Sequence, residues 1–545
     1  MKRIILTILA IVSLLILIGS IWGYFAFLST KPLTKEELAE LTPDWSVITH
    51  NNWSPWFVDP DATGSPKTTW NPAASFNAWL DTVPEQDKAW PILVEEYYAH
   101  LELFDHEDMG VYPDDVDDWD KLVEMLDTQE HAQLVERLID ALNLPVFGVG
   151  LYATTIPYEH QIMMQHAIDD DGWNPSMLSI NAELMSVNLS TLGNQRRVTD
   201  LLVSYAMIKV QQGDIDEAID IIETVMDSTC HALEYSSLLG HLVEVVILDK
   251  ARDFVLRSIH NQQDEFTDEH LRRIEDLFKE HHAVTIVWES EVLVYHDLIR
   301  RMATSSGGIN YPQLKQFYEH LGTDGTSMQP VHLPDAELKE SLQRPLYLYN
   351  KSFSLLDNQS QIPWEEDVTG GYDYLQSEYD SISIIFKLLT DILMPSTEQV
   401  AGFIREYNQR SHSSRLLIAF YRHHLRHSVF PPSIEIIDDD LLTFKPIDAF
   451  TGDLLKYRLT PEGPIIYSVG TDRDDDNATP MLDYDISELG SDKNISSYWK
   501  SLIPGFAEKP HWVSQSRVDT INESWPEKID GDWVLYPTPI NPDED

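Results

Sequence analysis

Cysteine is nearly absent from this chain of 545 residues, because Cys230 is the only one. An intramolecular disulfide is therefore excluded, and so is a zinc site made of several cysteines. Cys230 lies in a helical pattern between Met226 and Leu233, and a free cysteine in such a pattern usually behaves as a small apolar side chain. We expect Cys230 to be buried.

Positive charge is scarce as well. The chain has 38 lysine and arginine residues against 90 aspartate and glutamate residues, which gives a formal net charge of −52. This balance excludes nucleic acid as a partner, since phosphate binding needs clustered basic residues, and it disfavours lying flat on an anionic membrane. Two interpretations remain open: a solvated acidic surface, which we favour, and the binding of cationic partners.

Known catalytic motifs are missing too. The sequence contains no Gly-x-Ser-x-Gly motif, no P-loop and no Gly-x-Gly-x-x-Gly loop. Paired carboxylates such as Glu95-Glu96 and Glu365-Glu366 cannot be assigned as glycosidase acids, because pairs arise by chance among so many acidic residues. We lean towards a protein that is not an enzyme.

One long apolar run is present near the N-terminus. Lys2 and Arg3 precede Ile4–Leu28, which contains no charged side chain. A helix of about 25 residues rises roughly 37 Å, enough to cross a hydrocarbon core of about 30 Å. The run is longer than the core of a signal peptide and ends in aromatic residues typical of a membrane interface. We predict an uncleaved signal anchor, with a cleaved signal peptide as the alternative.

The basic residues around this run indicate its orientation. Lys2 and Arg3 favour a cytoplasmic N-terminus, which Lys31 and Lys35 oppose weakly. The expected location is therefore the cytoplasmic membrane, spanned once, with the body of the protein on the outer, extracytoplasmic side.

Helical periodicity dominates residues 86–410. Val198–Val210 and Ile215–Met226, joined by a turn at Gly213, resemble a tetratricopeptide hairpin, because Ala206 and Ala218 let the two helices approach closely; no 34-residue repeat supports the resemblance further. The other predicted helices are His131–Leu142, Leu233–Ile259, Asp268–Glu280, Val284–Met302, Ala336–Leu356, Tyr374–Leu393, Glu398–Tyr407 and Ser414–His427.

The character of the chain changes after Pro431. Asp448-Ala449-Phe450-Thr451-Gly452 is followed by the strand-like segments Leu454–Arg458 and Pro464–Val469, and then by the acidic loop 470–477. This order resembles the C-terminal module of type II secretion pseudopilins, and still more that of bacterial membrane-anchored helical proteins that carry the module after a long helical region.

The resemblance covers residues 414–477 and extends to Gly531-Asp532-Trp533-Val534. Ala449 replaces the usual proline, and an insertion near 478–530 separates the two parts. We thus predict a mainly α fold with a single N-terminal transmembrane helix, an α-helical array that is tetratricopeptide-like in part, and a small C-terminal α+β pseudopilin-like domain. The predicted domains are 1–30, the anchor; 31–85, an irregular segment rich in tryptophan and proline; 86–410, the helical domain; and 411–545, the pseudopilin-like domain.

The acidic loop is the best candidate site in the sequence. Asp472, Asp474 and Asp476, with Asp483 further along, place carboxylates on a turning backbone, as calcium requires with its six to eight oxygen ligands. The resemblance also implies calcium, since pseudopilins bind it in the corresponding loop. Calcium is therefore the candidate cofactor, and a solvated loop without metal is the other interpretation that stays open.

Histidines provide a second, weaker candidate. His423 and His427 are four residues apart on a predicted helix, a spacing that can chelate zinc. No acidic residue nearby in the sequence completes a His-Glu-x-x-His motif, so a polar helix face is favoured.

The sequence therefore predicts an envelope protein that is anchored in the membrane through residues 4–28. We favour an interaction or scaffold protein with protein partners in the envelope. An envelope hydrolase that uses carboxylates, and a sugar- or solute-binding protein, are the alternatives.

Overall fold

The computed structural model describes residues 77, 79–106, 108–113, 116, 119–150, 190–234, 238–284, 384–461, 463–470, 475–478 and 533–536. In these ranges no helix combines the length and the apolar character needed to cross a membrane. The predicted anchor at residues 4–28, the predicted helices Val284–Met302 and Ala336–Leu356, and nearly all of the segment 31–85 lie outside the described residues.

The described part of the chain is mainly helical, as predicted. Its α-helices are α1 (Trp90–Ala99), α2 (Leu101–Phe104), α3 (Trp119–Leu126), α4 (Gln129–Leu142), α5 (Ser190–Gln212), α6 (Ile215–Asp227), α7 (Leu238–Asn261), α8 (Asp268–Glu280) and α9 (Ile384–His427). Their buried apolar residues belong to one connected core, which extends from Ala89 to Tyr536.

Helices α5 and α6 form the predicted hairpin. The N–H groups of Gly213 and Asp214 donate to the carbonyl oxygens of Val210 and Lys209, over 3.0 Å and 2.9 Å. These two hydrogen bonds satisfy carbonyl groups that the end of a helix leaves free, and Gly213 takes the required left-handed conformation with φ +84°. Ala206 is fully buried, so α5 and α6 pack closely at this point.

Helix α8 begins and ends at the predicted residues, Asp268 and Glu280. Thr267 caps it: its hydroxyl accepts from the His270 N–H, and the His270 side chain accepts from the Thr267 N–H in return. This reciprocal pair satisfies two donors of the first turn. The predicted helix Leu233–Ile259 is shifted, because a 3-10 helix over Ser228–Leu233 precedes α7. Cys230 lies in that 3-10 helix and is exposed, so the expectation that it is buried was wrong.

Helix α9 replaces the separate helices predicted at Glu398–Tyr407 and Ser414–His427. It runs without a break for 44 residues, through Pro395, whose ring removes one backbone hydrogen bond. It contacts α7, α8 and strands of the small sheet described below. The division of the chain near residue 410 stays a prediction, although one helix crosses that position.

A small antiparallel sheet completes the described fold, with strands β1 (Lys456–Thr460), β2 (Gly463–Ser468) and β3 (Trp533–Tyr536) in that order. A tight turn joins β1 to β2, since Thr460 pairs with Gly463. β3 pairs with β2, and Trp533-Val534 is therefore part of the C-terminal unit, as expected from the sequence. The predicted mainly α fold is confirmed, and the described strands form one small antiparallel sheet.

Candidate functional site

Asp448 connects the turn at residues 448–452 with the end of strand β2. Its side chain is 1% exposed, and it accepts hydrogen bonds from the Phe450 N–H at 2.8 Å, the Ser468 hydroxyl at 3.0 Å and the Val469 N–H at 3.0 Å. Burial raises its pKa above the ordinary value, an effect that these hydrogen bonds oppose. Asp448 therefore holds the turn before β1 to the end of β2, and its role is structural.

Glu234 is a second carboxylate bound by backbone groups. It accepts from the N–H groups of Phe147 and Gly148, both over 2.9 Å. Burial raises the pKa of Glu234 to about 7, against the effect of these backbone donors. Such a pKa suits a general base, but both oxygens are occupied by the loop that follows α4. Glu234 fixes that loop to the segment before α7.

Only part of the predicted calcium loop falls within the described residues. Asp472, Asp474 and Asp483 lie outside them, and Asp476 is partly buried. The neighbouring Asp475 accepts from the Tyr467 hydroxyl at 3.0 Å and from the Asn477 N–H at 3.1 Å. Asp475 thus folds residues 475–477 back onto β2. The four predicted calcium ligands remain a prediction.

A shallow cleft opens between α5 and α7. It has a volume of about 190 Å³ and is lined by Tyr112, Pro113, Met207, Val210, Gln211, Ser258, Asn261 and Gln262. The Asn261 amide donates to the Tyr112 hydroxyl over 3.2 Å, and the Arg257 guanidinium lies 5.2 Å from the centre of the Tyr112 ring. Among the described residues, the lining contains amide, hydroxyl, aromatic and apolar groups and no carboxylate.

Two histidines and an aspartate converge where α9 ends. His423 and His427 have ring centres 4.3 Å apart. The His427 Nε2 lies 3.1 Å from the Asp438 Oδ2, and one donor atom of each of the three side chains lies within 4.8 Å of the others. Burial and, after it, the neighbouring His427 lower the pKa of His423. A hydrogen bond from His427 lowers the pKa of Asp438. A neutral imidazole and an ionised carboxylate are the forms that bind metal.

The sequence indicated the two histidines of this cluster but missed Asp438. Asp438 opens the run Asp438-Asp439-Asp440, which is one of many acidic stretches in the chain. The fold brings it back to α9, because a 3-10 helix over Ile434–Ile436 reverses the chain after Pro431. The cleft was missed for the same reason, since its lining comes from three separate segments.

No known protein family, curated protein or solved structure is significantly similar to this chain.

Proposed function

We propose that this chain is a membrane-anchored envelope protein of the interaction or scaffold type. Residues 4–28 serve as its transmembrane helix, and its acidic helical body stands on the outer side of the cytoplasmic membrane. The apolar run and the basic residues before it support the anchor.

The cleft between α5 and α7 is the observation that carries the interaction role. With about 190 Å³, it is smaller than the 300–1,000 Å³ that are usual for small-molecule sites, which speaks against solute binding. No carboxylate is present among its described lining residues, and the buried carboxylates Glu234 and Asp448 are bound by backbone N–H groups. Hydrolysis by paired acids has no support at these places, whereas a shallow groove between helices suits a protein surface.

Site-specific photo-crosslinking tests this role. A photoreactive residue replaces Gln262 in the cleft, and a matched one replaces the exposed Gln129 at the start of α4. We expect irradiated envelopes to give a discrete crosslinked protein from position 262 only, and Met207→Glu to abolish it. Equal labelling from both positions, or labelling that survives Met207→Glu, would contradict the proposal.

The anchor has a test of its own. The full chain should stay with membranes after alkaline carbonate extraction, and a variant without residues 4–28 should be released. Protease added to spheroplasts should digest the body if it lies outside. Release of the full chain by carbonate would contradict the membrane anchor. Complete protection of the body from the added protease would contradict its location outside.

Calcium binding by Asp472, Asp474, Asp476 and Asp483 is part of the same proposal. We expect calcium to raise the melting temperature and a chelator to reverse the change, since a ligand that binds the folded state stabilises it. Asp474→Ala with Asp476→Ala should abolish the shift, and Asp264→Ala, an exposed aspartate elsewhere, should retain it. A melting temperature that does not change when calcium is added would contradict the proposed calcium site.

A further inference from the structure

The last turn of α9 and the segment after it direct three metal-binding side chains to one point. Donor atoms of His423, His427 and Asp438 all lie within 4.8 Å of one another. We propose that these three side chains bind one divalent transition-metal ion, with zinc as the expected metal. The bound ion joins the end of α9 to the segment that leads into the sheet.

The distances suit zinc after small side-chain rotations. Zinc–nitrogen and zinc–oxygen bonds of about 2.0–2.2 Å in a tetrahedron separate neighbouring donors by about 3.3 Å. The His427 Nε2 and the Asp438 Oδ2 are already 3.1 Å apart. These two side chains are 46% and 37% exposed, so they can rotate towards the ion without disturbing the core.

His423 provides the fixed ligand. It is 5% exposed, and its Nδ1 is buried without a hydrogen-bond partner. No hydrogen bond to either ring nitrogen of His423 is present among the described residues. Several other buried side-chain atoms of the described residues also lack a partner, but His423 differs from them because one of its ring nitrogens lies within 4.8 Å of donor atoms of His427 and Asp438.

Arg426 is the competing cation and does not block the site. Its Nη1 lies 3.5 Å from the Asp438 Oδ2 but only 2.9 Å and 3.1 Å from the two oxygens of Asp440. Asp440 therefore retains Arg426 when Asp438 turns towards the metal. The negative charge of the two aspartates also offsets the charge that the ion adds next to the guanidinium.

The donor set selects the class of metal. Two imidazoles and one carboxylate favour zinc and its transition-metal neighbours, whereas calcium and magnesium prefer oxygen ligands alone. Three protein ligands leave a fourth position open, and the exposure of His427 lets water occupy it.

Metal titration of the full chain in detergent tests the proposal. The chain is stripped with a chelator and titrated with zinc in excess magnesium, which occupies clusters of carboxylates. We expect one zinc ion per chain, and cobalt in its place should give the visible absorption of a tetrahedral site. His427→Ala and Asp438→Asn should each weaken binding by about 100-fold or more, since even residues that only support a ligand change metal affinity by 10–100-fold.

Two matched variants serve as controls. His281→Ala removes a histidine that contacts Asp227 at 3.0 Å on the surface, with no third metal-binding side chain among the described residues. Asp439→Asn removes the exposed carboxylate next to Asp438. Both should bind zinc as the wild type does. Absence of stoichiometric zinc binding, or equal binding by wild type, His427→Ala and Asp438→Asn, would overturn the site.

Discussion

At the residue scale, the interface between α7 and α9 depends on one shared carboxylate. Asp249 accepts from the Arg252 Nη1 at 3.0 Å and from the Arg410 Nη1 at 2.7 Å. The Arg252 guanidinium also lies 4.3 Å from the centre of the Tyr407 ring. Both arginines keep buried Nε and Nη2 groups without a hydrogen-bond partner. Asp249 is therefore the group that balances two guanidinium charges in this interface.

Asp249→Ala should lower the free energy of unfolding by about 3–5 kcal/mol, because it leaves buried charge uncompensated. Asp253→Ala is the matched control on the same helix. This variant removes a surface ion pair in which Arg257 is 35% exposed and Asp253 is 45% exposed. It should lower the free energy of unfolding by less than about 0.5 kcal/mol. Chemical denaturation of both variants measures the difference. Similar losses would show that Asp249 has no special role.

Histidine burial predicts a pH dependence of stability. His231 is 4% exposed, its Nε2 donates to the Leu142 carbonyl over 2.9 Å, and burial lowers its pKa. Below about pH 6.5 the unfolded chain binds a proton at this histidine that the folded chain does not. The contribution of His231 to the free energy of unfolding is thus fully present above about pH 6.5. It falls at lower pH, by at most about 1.4 kcal/mol per pH unit.

His231→Gln should flatten the fall in unfolding free energy between pH 6.5 and 5, because glutamine can donate to the same carbonyl and does not titrate. His231→Phe should be less stable at every pH, since it leaves that carbonyl without the donor, but should show the same flattened slope. Denaturation midpoints over this pH range measure both. A wild-type slope in either variant would assign the pH dependence to other groups.

At the element scale, the turn between α5 and α6 shows how local chemistry decides where a helix ends. A Cβ atom added at Gly213 meets nothing within 4 Å, so only the φ of +84° opposes a side chain there. A Cβ atom added at Gly193, inside α5, also meets nothing within 4 Å, but Gly193 does not have a positive φ. The two glycines separate the effect of backbone conformation from that of space.

Gly213→Ala should destabilise the protein by about 1–2 kcal/mol, the cost of a left-handed conformation for an L-residue. Gly193→Ala should stabilise it by about 0.5–1 kcal/mol, because glycine is unfavourable inside a helix. Gly213→Asn should recover part of the loss, since asparagine tolerates this conformation. Thermal melts of the three variants test these opposite signs. Equal effects of alanine at both positions would contradict the role of the turn.

Helix α9 is the element that sequence patterns did not give correctly. The sequence patterns predicted separate helices at Glu398–Tyr407 and Ser414–His427, yet one helix continues to His427. Helix α9 contacts α7, α8 and the sheet, and the Arg422 Nε donates to the Asp268 Oδ1 of α8 at 2.8 Å. Tertiary packing of this kind overrides the local preference for a break.

At the scale of the whole molecule, Tyr536 connects elements that are far apart in the chain. Its hydroxyl lies 2.7 Å from the His260 Nδ1 on α7 and 3.1 Å from the Tyr421 hydroxyl on α9. Tyr536 belongs to β3 and is 5% exposed. The final strand is thereby tied to the helical core and to the long helix at once.

Tyr536→Phe should lower the free energy of unfolding by about 1–3 kcal/mol, because buried partners lose their hydrogen bond while the ring stays in place. Tyr421→Phe should cost less, since the Tyr536 hydroxyl keeps His260. The double variant should lose less than the sum of the two, with a coupling of about 0.5 kcal/mol or more. Strictly additive losses would mean that the two hydroxyls do not interact.

The amino-acid sequence by itself determined the helical hairpin of α5 and α6, the bounds of α8, and the positions of β1 and β2 to within about two residues. Apolar spacing, capping residues and turn glycines act over a few neighbouring residues, so they can be read along the chain. The net charge of −52 also follows from composition alone, and the prediction that the chain does not bind nucleic acid depends on it.

Only the tertiary structure decided which distant groups meet. It joined α9 into one helix, brought Asp438 to His423 and His427, placed Asp249 between two arginines and closed the sheet with β3. Each of these contacts links residues whose separation along the chain carries no periodic signal. Among 90 acidic residues, the sequence did not indicate that Asp438 would meet two histidines or that Asp249 would meet two arginines, because such contacts depend on the partners that the fold supplies.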